Sequence, residues 1–159
     1  MRIGKIEQET SDLDWFAVDE KGSLAHFASA GFKYLPATVA CSAEDLALVT
    51  DYFQSCATTF SGHIVNADIG RDRCDWNGEA REARYLRSFV EMAGRGLYSY
   101  DIESYVKPTT AYFCVAIPTR ALSIEDLPEA VRNIVRRTVL KGVRLQEIPR
   151  IEYESTLRF

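Results

Sequence analysis

The feature that most constrains the fold is a pair of short apolar runs near the N-terminus. Residues 14–19 read DWFAVD, residues 23–29 read SLAHFAS, and only Glu20, Lys21 and Gly22 separate them. Two strand-like runs joined by a short loop with a glycine are typical of a β-hairpin. Because side chains alternate along a strand, the second arm has two distinct faces. One face holds Leu24, His26 and Ala28, and the other holds Ala25, Phe27 and Ser29.

The rest of the chain predicts three main helices and further strands that also come in pairs. Ser42 is a suitable N-cap, and the apolar residues after it recur at helical spacing, which predicts a helix from 42 to about 56. A second helix is predicted over 79–93, ended by glycines, and a third over 128–140. Strands are predicted at 63–67, 97–101, 111–117, 143–148 and 150–155.

This order of elements predicts the fold class. Strands that follow one another in pairs, and do not alternate one-to-one with helices, favour an α+β fold. We therefore expect a largely antiparallel sheet with about three helices packed on it. The length of 159 residues and the lack of a convincing linker predict a single domain over 1–159.

Composition and charge narrow the classes of partner. Apolar residues make up 47% of the chain, which is enough for one hydrophobic core. The net charge of −4 argues against a nucleic acid as the main ligand, because domains that bind nucleic acids are usually basic. The charge is also uneven: residues 1–60 carry four basic and nine acidic groups, a net charge of −5.

Targeting signals and cysteines predict the compartment. No apolar segment of the secretory type follows the first residues, and no run is long enough for a membrane helix. These patterns predict a cytoplasmic protein without a membrane partner. The spacing of Cys41, Cys56, Cys74 and Cys114 contains no Cys-x-x-Cys pair, so we expect free thiols that pack as small hydrophobic groups.

Motifs for cofactors and catalysis are missing from the sequence. The glycine patterns of phosphate-binding loops do not occur, and neither does the G-x-S-x-G turn of hydrolases. The acids at 68, 72 and 79 are spaced like an EF-hand loop, but Arg73 stands where that loop needs glycine. The sequence therefore predicts no metal, no cofactor and no catalytic residue.

An irregular segment at 61–78 is the best sequence candidate for a small-ligand site. A long loop inside a compact domain is often functional. Its polar and aromatic side chains are the ones that a ligand would contact. The candidate ligand-binding residues are His63, Asp68, Asp72, Asp75 and Trp76.

A second candidate is a surface for a protein partner. It combines the acids of the hairpin with two tyrosines on one face of the strand at 97–101. Tyrosine is enriched at protein interfaces, although it also forms cross-strand pairs inside antiparallel sheets. The candidate partner-binding residues are Asp14, Asp19, Glu20, Tyr98 and Tyr100.

The hairpin also carries a resemblance. Its pattern W-F-A-V-D, followed by Gly22, Ala25-x-Phe27-x-Ser29 and Gly31, resembles the opening of a family of small bacterial proteins of uncharacterised function. Later pieces, residues 96–101 and 116–128, are similar as well. Some members of that family look like immunity proteins encoded beside secreted toxins, and the resemblance implies such a role here. It implies no catalytic residues.

Two functions are compatible with these patterns. The first is a non-catalytic protein-interaction domain, of the immunity type, that binds a bacterial toxin through its acidic part. The alternative is a small-ligand-binding domain or an enzyme whose site is the 61–78 loop. A pocket would favour the alternative, whereas an acidic face or groove would favour the first.

Overall fold

The helices and strands lie in the five ranges that the computed structural model describes, residues 1–31, 35–56, 60–67, 79–103 and 111–152, with only the backbone given for 79 and 80. The helices are α1 (Lys5–Thr10), α2 (Ala37–Ala40), α3 (Ala43–Ser55), α4 (Glu79–Gly94) and α5 (Glu129–Val135). The strands are β1 (Asp14–Asp19), β2 (Leu24–Ala28), β3 (His63–Val65), β4 (Tyr98–Ile102), β5 (Ala111–Pro118), β6 (Val139–Leu140) and β7 (Ile151–Glu152). Two 3-10 turns, Ile124–Asp126 and Leu145–Glu147, complete the described elements.

The strands of the described residues form one sheet of mixed direction. Its order is β3-β5-β4-β2-β1-β6, and β7 also pairs with β5. The predicted hairpin is confirmed, since β1 pairs antiparallel with β2. The pairs β3–β5, β4–β5 and β5–β7 are antiparallel too, whereas β2–β4 and β1–β6 are parallel. The α+β class with a mostly antiparallel sheet is therefore confirmed.

The sheet separates the core into two layers, as the alternation along the hairpin predicts. Phe16, Val18 and Leu24 pack under α3, α4 and α5. Trp15 and Phe27 lie on the opposite face, where α2, the N-terminal residues and the segment from Leu140 to Ile151 cover them. The indole of Trp15 stacks on Phe27 with ring centroids 4.0 Å apart. Both faces of the hairpin are thus buried, which leaves its ends and its turn as the parts nearest solvent.

The C-terminal part differs from the predicted elements. The third helix ends at Val135, because Val139 and Leu140 pair in parallel with Val18 and Asp19 as strand β6. The predicted strand at 143–148 is wrong, because Leu145–Glu147 is a 3-10 turn. Of the predicted strand at 150–155, Ile151–Glu152 is confirmed as β7, and residues 153–155 lie outside the described residues. The two short helices α1 and α2 were not predicted. All these elements are short, so their backbone follows tertiary contacts more than local propensity.

Three of the four cysteines lie in the described residues, all as free thiols. Cys114 is buried in the sheet, in agreement with the expectation of a small packed group, whereas Cys41 is exposed and Cys56 is partly buried. Cys74 lies outside the described residues. Burial raises the pKa of the Cys114 thiol from the ordinary 9.0 to about 12. Burial, followed by the nearby Cys114 thiol, also raises the pKa of the Tyr100 hydroxyl.

These shifts predict a loss of stability at alkaline pH. Above pH 9.0 the thiol of Cys114 ionises in the unfolded chain but stays neutral in the folded protein up to about pH 12. The free energy of unfolding is therefore expected to fall as the pH rises from about 9 to about 12. Urea unfolding at pH 8, 9, 10 and 11 measures this. The fall should be shallower in Cys114→Ala and unchanged in the exposed control Cys41→Ala; equal slopes in all three proteins would contradict it.

Candidate binding cleft

Among the candidate ligand-binding residues of the 61–78 loop, the structure describes His63. It lies in β3 opposite Pro118, and its side chain is exposed. β3 is the terminal strand of the sheet order. Asp68, Asp72, Asp75 and Trp76 lie outside the described residues. The ligand site in this loop stays a prediction.

Three of the five candidate partner-binding residues belong to the core, which corrects their assignment to a surface. Tyr98 is 6% exposed and Tyr100 0%, because β4 lies between β2 and β5 and this face of the sheet is covered. Asp19 is 3% exposed. One of its carboxylate oxygens accepts hydrogen bonds from the backbone N–H of Lys21 and Ser23, and the other accepts from Leu145. Its role is structural.

The other two candidates reach solvent at opposite ends of β1. Glu20 is exposed in the turn of the hairpin, and Asp14 is partly exposed at the start of the strand. Asp14 also lines a surface cavity of about 310 Å³ between α1, the connection to β1, and α3. This cavity, called the acidic cleft below, therefore includes one of the predicted partner residues.

The acidic cleft is formed by one face of a helix and the segment opposite it. Ala43, Leu46, Ala47, Thr50, Asp51 and Gln54 recur at helical spacing and form the α3 side. Ser42 caps this helix by accepting from the backbone N–H of Asp45, which fixes where that face begins. Ile3, Glu7, Asp12, Leu13 and Asp14 form the other side.

The charged side chains that line the acidic cleft are all negative. Its carboxylates are those of Glu7, Asp12, Asp14 and Asp51, and its described lining contains no lysine, arginine or histidine. One oxygen of Asp12 accepts a hydrogen bond from the backbone N–H of Ala30 at 2.8 Å. A concave surface lined by one sign of charge focuses its field and attracts groups of the opposite sign. The cleft therefore favours a cation.

A buried histidine lies behind Asp14. His26 has no exposed surface, and its Nδ1 shares a hydrogen bond of 2.7 Å with the hydroxyl of Ser99 on β4. Its Nε2 lies 3.4 Å from the Asp14 carboxylate, but forms no hydrogen bond within the described residues. The rings of Phe16 and Phe89 flank the imidazole. Within the described residues the imidazole is thus fully buried and held by one hydrogen bond.

The series Ser99–His26–Asp14 has the residue types of a hydrolase triad in an orientation that does not suit catalysis. In a triad the serine must meet the substrate, while the acid lies behind the histidine. Here Ser99 is fully buried beneath the helices, and the acid faces the cleft. A nucleophilic role for Ser99 has no access route among the described residues. The group that a ligand can reach is the Asp14 carboxylate.

Other ligand chemistries have less support in the part of the chain that the structure describes. No set of three histidine, cysteine or acidic side chains there is arranged to hold a metal ion. None of its helices has both the length and the apolar character needed to cross a membrane.

Sequence reasoning missed three of the four acids of the cleft. The sequence predicts Asp14 as a binding residue, but no pattern in it singles out Glu7, Asp12 or Asp51. The signal for them was the net charge of −5 in residues 1–60. That signal does not show which acids converge, because Asp51 lies on α3, far along the chain from Glu7, and only the packing of α1 and β1 beside α3 brings them together.

Fold and cleft together define an α+β domain with a mostly antiparallel sheet and an acidic surface cleft. Comparison of the chain with protein-family models, with curated proteins and with solved structures gives no match. The family membership that the opening motif implies therefore stays a prediction.

Proposed function

We propose that this chain is a non-catalytic interaction domain whose acidic cleft receives a basic segment of a protein partner. The observation that carries the proposal is a cleft with four carboxylates and no basic residue in its described lining. Electrostatic complementarity of this kind accelerates association and selects among partners. A nucleic acid is disfavoured as the occupant, because its phosphates would be repelled by the same carboxylates.

The partner that we propose is a bacterial toxin with a basic surface, which makes the chain a protein of the immunity type. Two features support this role: the resemblance carried by the hairpin motif, and the acidic cleft at the start of that hairpin. A nuclease-type toxin needs a basic surface to bind its own substrate, and an acidic protein is suited to cover such a surface.

The test is capture of the partner by variants of this protein that differ in where charge is removed. Glu7→Gln with Asp51→Asn neutralises two exposed acids of the cleft. Glu82→Gln with Glu91→Gln, its matched control, neutralises two exposed acids on α4. In binding experiments with the captured toxin at 50 and 200 mM salt, the cleft variant should bind at least tenfold more weakly than the wild type. The control should stay within about twofold.

Salt dependence gives a second reading of the same experiment. Wild-type affinity is expected to fall as salt rises, and the cleft variant should show a smaller salt effect because fewer charges remain to be screened. Equal affinities of the cleft variant, the control and the wild type for the captured protein would overturn the proposal.

A further inference from the structure

The acidic cleft combines two kinds of surface that together fit one class of chemical group. Ile3, Leu13 and Leu46 give it an apolar wall, and the four carboxylates lie among and around these side chains. The long side chains of lysine and arginine need this combination, because their methylene stems pack on apolar surface while the charged end needs a polar partner. A simple inorganic cation would gain nothing from the apolar wall.

We infer that the cleft binds an alkyl chain that ends in a guanidinium or ammonium group, in the form of an arginine or lysine side chain of the partner, with its charged end on Asp14. This inference rests on the proposed function and names the group that the cleft recognises. The volume of about 310 Å³ is at the lower end of the roughly 300–1,000 Å³ of small-ligand sites. Such a volume suits one extended side chain and is too small for a helix.

The distribution of the acids favours an extended cation over a compact one. Asp51 lies on α3, Glu7 on α1, and Asp14 at the start of β1. Within the described ranges these carboxylates do not come together at the spacing of metal ligands. A chain with a charged end, and with polar backbone groups nearer to the cleft rim, can contact several of them at once.

His26 is the second observation that points to a ligand at Asp14. A buried polar atom without a hydrogen-bond partner is rare in folded proteins, and Nε2 of His26 is one. Ser99 shares a hydrogen bond with Nδ1 of the imidazole, and Nε2 lies 3.4 Å from the Asp14 carboxylate. His26 does not line the cleft itself. It acts through Asp14, as a positioning residue.

The other groups beside the imidazole have contacts of their own. Asp101 also lies on this side of the sheet, but the Tyr85 hydroxyl and the backbone N–H of Ile102 hold its carboxylate. The rings of Phe16 and Phe89 occupy other contacts of the imidazole.

The experiment uses two small probes that differ in charge and hardly in shape. N-acetyl-arginine amide carries the guanidinium group, and N-acetyl-citrulline amide is its neutral isostere. In ¹⁵N NMR titrations of the full chain at pH 7.5, the arginine probe should shift the amides of residues 12–14 and of the cleft face of α3. Citrulline should bind at least tenfold more weakly. Equal binding of the two probes would overturn the inference.

Variants then locate the charged end of the probe. Asp14→Asn should weaken binding of the arginine probe at least tenfold, while Glu129→Gln, an exposed acid outside the cleft, should stay within twofold of the wild type. Thermal unfolding of each variant verifies that it is folded. Wild-type affinity in a folded Asp14→Asn variant would place the guanidinium elsewhere and contradict the assignment.

A substitution tests the positioning role of His26. In His26→Asn, which keeps a polar group toward Ser99, affinity for the arginine probe should fall several-fold while affinity for the citrulline probe stays within about twofold of the wild type. An equal change for both probes would overturn this role.

The outcomes separate the inference from the function on which it rests. If the cleft variant loses the partner but neither probe binds, the interaction function stands and the side-chain assignment is wrong. If the arginine probe binds through Asp14 but the cleft variant keeps the partner, the assignment of the pocket stands and the proposed interaction face is wrong.

Discussion

Replacement of Asp19 by alanine should lower the free energy of unfolding by about 3–5 kcal/mol, since three backbone N–H groups lose their acceptor in a largely buried place. The carboxylate of Asp19 holds the turn of the hairpin through Lys21 and Ser23, with N···O distances of 2.9 Å. It also holds the C-terminal segment through the N–H of Leu145 at 3.1 Å. One side chain therefore connects two parts of the chain that lie 126 residues apart.

Urea unfolding of matched variants measures this effect. Asp19→Asn keeps an acceptor for one set of these bonds and should cost less than alanine. Glu20→Ala, an exposed neighbour in the same turn, should change the free energy of unfolding by no more than about 0.5 kcal/mol. If Asp19→Ala were as stable as Glu20→Ala, Asp19 would have no structural role, and its assignment to a partner surface would regain support.

Replacement of Phe27 by alanine should cost about 3–5 kcal/mol, because it opens a cavity in the centre of the aromatic layer. Phe27 has no exposed surface. Its ring stacks between Trp15, at 4.0 Å, and Tyr100, at 5.2 Å, and meets the edge of Tyr112 at 5.1 Å. The layer on this face of the sheet therefore loses contacts with three large rings at once.

The same unfolding measurement distinguishes cavity formation from a general effect on the sheet. Phe27→Leu refills most of the volume and should cost clearly less than alanine. Ile64→Ala truncates an apolar residue that is 56% exposed on the terminal strand β3, and should stay within about 0.5 kcal/mol of the wild type. Similar losses for Phe27→Ala and Ile64→Ala would contradict the central place of Phe27 in the core.

The two acids at the ends of β1 show how much of the candidate site can be predicted from the sequence. Asp19 comes five positions after Asp14, and an odd offset places two side chains on opposite faces of a strand. The sequence alone predicts this alternation. It does not predict which of the two faces is open to solvent, because that depends on the segment from Leu140 to Ile151 that covers Asp19 and on the cleft between α1 and α3 beside Asp14.

The burial of the two tyrosines of β4 also depends on contacts that the sequence does not predict. Tyr98 and Tyr100 do share a face, as the period of two predicts. That face is buried because the N-terminal residues, α2 and the segment from Leu140 to Ile151 pack on it. The parallel pairing of β4 with β2 places the two tyrosines beside Phe27 in this covered layer. Parallel pairing joins segments that are far apart in the chain, so no local sequence pattern predicts it.

The sequence by itself determined the hairpin, the three longer helices, the antiparallel character of most of the sheet, and the excess of acids in the first 60 residues. These follow from local chemistry: side-chain periodicity, glycine at the turn, an N-cap, and a count of charges. The tertiary structure alone decided the short helices α1 and α2, the strand β6, the burial of Asp19, Tyr98 and Tyr100, and the convergence of Glu7, Asp12, Asp14 and Asp51. Each of these depends on contacts between distant segments, and such contacts become favourable only when the chain is folded as a whole.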